Sequence, residues 1–302
     1  MRDAILPNEK IRRVSKVNVS AILFLSIPLL LYFVFYLLPA LTSVVLSFTK
    51  WDGLTAPVFV GFQNFSKIFR DPRFLNSVLV NIKVVVISLF TQLPLALLLA
   101  YLLVKQLKGT AFFRAVLFIP QMLSLVAVGV LWSLIYHPTN GPLAKIFEEM
   151  GMESINWLGS TSISLLSLMV TTTWVYFGFH MVLQIAGMSS IPQELYDSAK
   201  LDTDNSLEVF FRVTLPLLRE TLLISTVMII SGSFSHLIGL FWVMTRGGPM
   251  QSTELISIYI YKSAFSAHQF GYSSAMTVIM VAFIAAIVGV VVWQFSKVRI
   301  EF

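Results

Sequence analysis

The chain has 302 residues, of which 57% are hydrophobic and 12% charged, and its formal net charge is +6. A soluble domain carries about 25% charged residues, so this chain has too little polar surface to face water all round, and a bilayer is its natural solvent. The absence of cysteine excludes disulfides and thiolate metal sites. The basic balance is accounted for by membrane orientation and anionic head groups, with no nucleic-acid partner.

In chain order, no Asp, Glu, Lys or Arg occurs between Lys16 and Lys50, Lys83 and Lys105, or Arg114 and Lys145. The same holds between Glu153 and Glu194, Glu220 and Arg246, and Lys262 and Lys297. Each run exceeds the ~20 residues that a helix needs to cross ~30 Å of hydrocarbon. They predict an all-α integral membrane protein with six spans, near 20–41, 84–104, 115–136, 163–188, 221–245 and 273–296. Residues 1–17 are expected to form an N-terminal tail and 18–302 a single transmembrane domain. The first span is too long for a signal peptide and is expected to remain in the mature chain.

An even number of spans puts both termini on one side. Arg2, Lys10, Arg12, Arg13 and Lys16 precede the first span, and Lys105, Lys108 and Arg114 crowd the turn between the second and third. Lys200, Arg212 and Arg219 follow the fourth, and Lys297 and Arg299 close the chain. The positive-inside rule makes that side, and both termini, cytoplasmic. The outer loops are then 45–78, 137–161 and 246–271. In the first, GFQNFSKIFRDPRF alternates aromatic and basic residues at helical spacing, as a helix lying on the outer leaflet would.

Between the fourth and fifth spans, 190–218 forms a polar insert. Its PQELYDSAKLDTDNSLEVFFRVTLPLL holds five acids and two bases. Ser190 with Gln193 has the spacing of a capping box, and Glu194 and Asp197 sit where acids favour a helix start. Asp202-Thr203-Asp204-Asn205 is a break, after which Asn205 with Glu208 repeats the capping pattern. A second helix would then carry Leu207, Phe210, Phe211 and Leu215 on one face, ending or bending at Pro216. Five acids argue against a helix resting on anionic lipid, so the insert is a candidate socket for a partner protein.

Glu194-Leu195-Tyr196-Asp197-Ser198-Ala199, Asp202, Phe211 and Val213-Thr214-Leu215-Pro216 resemble the EAA loop of carbohydrate-type, binding-protein-dependent ABC importers. Val243–Pro249, Ser252-Thr253-Glu254, Tyr259–Phe265 and Gly271–Ala275 look like the loop before the last span of their sugar-type permeases. Phe59–Phe65, Asp71–Phe74, and Arg114 with Phe118-Ile119-Pro120 continue the likeness, which covers the chain from about residue 20. The resemblance implies the type I permease fold in the inner membrane of a prokaryote. It makes 194–203 the coupling helix, with Glu194, Tyr196, Asp197, Ala199, Asp202 and Thr203 at the ATPase. It implies a second permease subunit in a heterodimer, two ATP-binding subunits that hold ATP and Mg, an extracytoplasmic solute-binding protein, and a sugar or related polar solute. Thr203 stands where the family has glycine, a residue that would allow a left-handed backbone or close approach.

A sugar site calls for hydroxyl, amide or imidazole groups together with aromatic rings. Thr173, Tyr176, His180 and Gln184 share one face of the fourth span, and Thr226, Ser233 and His236 one face of the fifth. Interhelical hydrogen bonding is the structural alternative for each hydroxyl or amide, whereas intramembrane histidines are functional candidates by default. Trp132, Trp174 and Trp242 are expected to pack or to anchor. No GxxxxGK[ST] phosphate loop occurs, so ATP hydrolysis is expected in another subunit and the chain is not itself an enzyme. A proton-linked secondary transporter acting alone is the alternative. The absence of an internal repeat and of any Asp or Glu inside a span counts against it.

Overall fold

A computed structural model describes residues 19–104 and 109–297. The tail expected at 1–17, together with Lys105, Lys108 and Arg299, lies outside the described residues. The first long helix runs as α1 (Val19–Tyr32), a π turn at Phe33–Leu37, and α2 (Leu38–Leu46). From Phe24 to Leu46 none of its residues is buried within the protein. A two-stranded hairpin, β1 (Thr49–Lys50) and β2 (Val58–Phe59), pairs Thr49 with Phe59 and Lys50 with Val58 in antiparallel register.

The stretch expected to rest on the outer leaflet forms α3 (Gln63–Ile68). It is anchored to the bundle: Ile68 is fully buried and Phe65 packs with it, while Phe62 and Phe69 are exposed. Helix α4 (Pro72–Val104) has 33 residues, or about 50 Å at 1.5 Å per residue, and so begins well before the predicted span at 84.

The third predicted span is broken into α5 (Thr110–Met122) and α6 (Leu125–Ile135), which meet at 98°. Pro120 removes a backbone donor in the last turn, and Leu123 and Ser124 are extended, with ψ of 148° and 129°. A short outer helix, α7 (Pro142–Glu149), leads to α8 (Ser164–Ser189), the most buried of the long helices.

The insert then forms α9 (Gln193–Asp202), α10 (Ser206–Val209), a π turn at Phe210–Thr214 and α11 (Leu215–Leu217). A 69° bend separates this stretch from α12 (Arg219–Ser235), two residues beyond Pro216. The fifth span was expected to continue to 245, but α12 stops and resumes as α13 (Ile238–Met244). Gly232 and three small polar positions explain the stop. The Ser233 and Ser235 hydroxyls donate to the carbonyls of Ile229 and Ser231, back-bonds that bend and weaken a helix. The outer loop carries α14 (Ile256–Tyr261) and a π turn at Lys262–Ser266, and α15 (Phe270–Ser296) closes the bundle.

Among the described residues, four helices are long and apolar enough to cross a membrane, and the two bent pairs bring the number to six. The pair that supplies the fifth crossing is 206–217 with 219–235.

Three buried clusters hold the bundle. One joins α4, α6, α8 and α13 through Val84, Val128, Leu168 and Phe241. A second joins α3, α12 and α15 through Ile68, Phe234 and Met276. A third, near the insert, joins α4 and α8 to Leu218. Two glycines permit close crossings. A Cβ at Gly178 would stand 2.0 Å from the Leu117 carbonyl oxygen, and one at Gly271 would stand 1.9 Å from that of Thr49.

Candidate coupling helix and intramembrane cavity

The insert keeps its helix–turn–helix form, but its caps differ from the expected ones. Ser190 does not cap α9; its hydroxyl donates to the Gly187 carbonyl, and the N-cap residue is Pro192. A capping side chain must reach forward to the N–H of N2 or N3, and Ser190 is still held by the end of α8. Asn205 caps α10 by accepting the Leu207 N–H at 3.0 Å. Glu208 bonds elsewhere: it accepts from the Thr203 hydroxyl at 2.8 Å and pairs with Arg212 at 3.0 Å.

Thr203 is extended, with φ −155° and ψ 138°, a conformation open to any residue. Its hydroxyl accepts the Asn205 N–H at 3.2 Å while donating to Glu208. The turn therefore needs no glycine at this position. The π turn also rotates the apolar face that was expected to be continuous. Phe210 packs on Tyr101 of α4 at 5.1 Å, while Leu207 and Phe211 point outward.

Glu194, Asp202 and Asp204 are exposed, as is Leu201. The Asp197 carboxyl is held below its ordinary range by the Gln193 side-chain amide and Lys200, which lie 3.1 and 3.3 Å from it. Ala199 is half-buried. Tyr196 is the tether, since its hydroxyl accepts from Thr214 of the π turn at 3.3 Å. Helix α9 thus presents acids and a leucine outward while an aromatic hydroxyl ties it to the segment that feeds α12. At that junction Arg219 donates to the carbonyls of Gln294 and Phe295, capping the end of α15.

Within the bundle, a cavity of about 370 Å³ is bounded by α4, α5, α8 and α12. Of the sequence candidates, Tyr176, His180, Ser233 and His236 line it. Thr173 lies outside it, its hydroxyl bonded to that of Thr91 at 2.8 Å, and Thr226 is not in its wall. Gln184 is an interhelical tie that donates to Ser225 Oγ at 2.9 Å and accepts from Thr221 Oγ1 at 2.9 Å. The cavity adds Ser88, Gln92, Gln121, Thr172 and Ser231. Ser88 and Gln92, spaced i and i+4 in an apolar run, were a legible signal; Gln121 gave none, because the break that brings it to the wall was not expected. Trp132 packs edge-to-face on Trp174, and Trp242 on Tyr261.

Residues 92–300 match the family described as "Binding-protein-dependent transport system inner membrane component". The chain is 32% identical over 265 residues to the "Probable ABC transporter permease protein YurN" of Bacillus subtilis, covering 86% of this chain and 90% of that one. It is 30% identical to the diacetylchitobiose uptake system permease protein NgcF of Streptomyces coelicolor, covering 86% and 77%. In fold it resembles a chain of a bacterial ABC transporter described as importing the acidic polysaccharide alginate, with a TM-score of 0.80, 19% identity, and coverage of 94% and 98%. A helical bundle with a polar interior cavity and an exposed, tethered acidic helix accords with these matches, and the chain belongs to the binding-protein-dependent transport system inner membrane components, the permease subunits of ABC importers.

Proposed function

We propose that this chain forms one half of the translocation path of a carbohydrate importer and couples that path to an ATPase through α9. The carbohydrate class is supported by relatives such as NgcF, described as serving diacetylchitobiose uptake, and by a cavity wall of hydroxyls, amides, imidazoles and aromatic rings. A second, different permease subunit completes the path, two ATP-binding subunits hold ATP and Mg, and an extracytoplasmic solute-binding protein delivers the solute. Both termini and α9 face the cytoplasm.

One observation carries the coupling role: α9 is exposed on its acidic face yet tied through Tyr196 and Thr214 to the bend that opens into α12. Closure of the ATPase pair pulls on α9. The bend passes that displacement to α12, whose far half lines the cavity. Two distant sites are then linked by a rigid-body element, as coupling requires. Glu194, Tyr196, Asp197, Ala199, Asp202 and Thr203 form the coupling surface, and Tyr176, His180, Ser233 and His236 the path.

Reconstitution in vesicles tests this reading. Uptake is expected only when the partner permease, the ATPase, ATP and the solute-binding protein are all present. Uptake by this chain alone, driven by a proton gradient, would replace the proposal with a secondary transporter.

A further inference from the structure

We infer that the corner formed by the β1–β2 hairpin, α3 and the start of α4 is a docking surface for the solute-binding protein, and that it selects an acidic face of that partner. The inference rests on the proposed dependence on such a protein and goes beyond it by naming the surface and its chemistry.

The corner lies at the end of the bundle away from the coupling helix. Helix α4 begins beside α3, and near its other end, about 45 Å on, Tyr101 packs on Phe210 of the insert. With α9 in the cytoplasm, the corner faces the side from which a binding protein arrives.

Its bases are displayed and its acids are occupied. Lys50 and Lys67 border a hollow of about 250 Å³ with Trp51, Asn64, His268 and Tyr272. The Lys67 ammonium stands 4.7 Å over the Tyr272 ring, and the Arg73 guanidinium 4.7 Å over that of Tyr259. Both tyrosines donate to one oxygen of Asp71, whose other oxygen accepts the N–H groups of Arg73 and Phe74. Asp52 is spent on its own turn, where it accepts from the Leu54 N–H at 3.0 Å and from the Thr55 N–H and hydroxyl, each at 2.8 Å. Glu254 has no exposed surface and is held by Arg73 and Lys262. Lys50, Lys67 and Arg70, by contrast, are exposed, and among the described residues none of them has a carboxylate within ion-pair distance. Unpaired cations around occupied acids leave a positive surface whose free N–H donors suit carboxylates.

The bases are also held in place. Asn64 ties α3 to the hairpin by donating to the Ser47 and Thr49 carbonyls at 2.9 and 2.8 Å. The Gly271 N–H ties the hairpin to α15 through the Trp51 carbonyl at 3.3 Å. Phe65 and Ile68 of α3 are spent on the bundle, so burial in lipid is not what orients its basic side, as it would be in an interfacial helix. The exposed Phe62 and Phe69 flank the bases and add the aromatic area typical of protein interfaces. A preorganised basic surface of this kind steers and orients an acidic partner.

The test is association of the solute-loaded binding protein with the purified permease–ATPase complex, followed across a salt series. The complex is held in nanodiscs of phosphatidylcholine alone or with added phosphatidylglycerol. Wild-type association is expected to slow steeply as salt rises. In both lipids the double variant Lys50→Glu/Lys67→Glu should associate about tenfold or more slowly, and Arg70→Glu severalfold more slowly. Basal ATPase activity and the unliganded Tm should stay at wild-type values. Lys145→Glu, on α7 outside the corner, makes the same change of charge and is expected to associate as wild type does. Wild-type association by the double variant overturns the inference. An equal loss in Lys145→Glu overturns it too, by assigning the effect to overall charge, and a loss confined to the phosphatidylglycerol nanodiscs does so by assigning the bases to lipid. Absence of binding by the wild-type complex would instead remove the importer reading itself.

Discussion

Arg73 and Glu254, 181 residues apart, form a bidentate ion pair, with Nε to Oε2 at 2.6 Å and Nη2 to Oε1 at 2.8 Å. Lys262 reaches the same carboxylate at 2.7 Å, and Glu254 has no exposed surface. The pair fastens the start of α4 to the loop before α14. Asn76 adds to it by donating to the Gln251 carbonyl, and Asn81 by accepting the Ile256 N–H at 2.8 Å while its amide nitrogen donates to the Ser233 carbonyl of α12. Removing one member of a buried pair strands the other, at a cost of about 3–5 kcal/mol. Arg73→Leu is expected to fall below that range, because the Arg73 side chain is 37% exposed and Lys262 remains on the buried carboxylate; equilibrium unfolding of the purified complex measures it.

The same region sets an acid limit. Burial pushes the Glu254 carboxyl up, but Arg73 and Lys262 outweigh it and hold the pKa below its ordinary value. Burial likewise opposes Asp71, yet the Tyr259 and Tyr272 hydroxyls and the backbone N–H groups of Arg73 and Phe74 lower its pKa. A carboxyl whose folded pKa is depressed adds stability that is fully present above its unfolded pKa and lost as pH falls through the folded one. Thermal stability should therefore hold down through the ordinary carboxylate range and drop only below it. Asp71→Asn should flatten that drop, as melting curves across an acid series would show.

Gly178 lets α5 and α8 cross so closely that a Cβ there would overlap the Leu117 carbonyl oxygen, 2.0 Å away. Gly178→Ala must push the helices apart and is expected to cost about 1–3 kcal/mol or more. Chemical denaturation would register it, whereas Gly289→Ala, with nothing within 4 Å of a built Cβ, should be neutral.

Thr203 joins the two halves of the insert through Asn205 and Glu208. Thr203→Val removes both bonds, worth about 1 kcal/mol each, and should lower solute-stimulated ATPase activity several-fold. Thr203→Ser keeps the hydroxyl and should restore it. Equal activity in the valine and serine variants would mean that the hydroxyl has no part in coupling.

The spans without a break were legible because an unbroken apolar run has one outcome in a bilayer. The first, second, fourth and sixth helices sit where those runs lie. The third and fifth runs are as apolar, so hydropathy alone could not reveal that Pro120 to Ser124 and Gly232 to His236 interrupt them. The insert was legible from its charge, and Asn205 from its cap spacing. Ser190 misled because it has the composition of a cap but stays bonded to the preceding helix. The Arg73–Glu254 pair and the convergence of Ser88, Gln121 and His180 depend on helix packing between distant segments, which local spacing does not encode.

The central claim is that α9 transmits ATP-driven motion, and charge reversal at its exposed first turn tests it most directly. In complexes that assemble normally, Glu194→Lys is expected to abolish the ATPase stimulation caused by the loaded solute-binding protein, a fall of about tenfold or more. Wild-type stimulation in that variant would contradict the account.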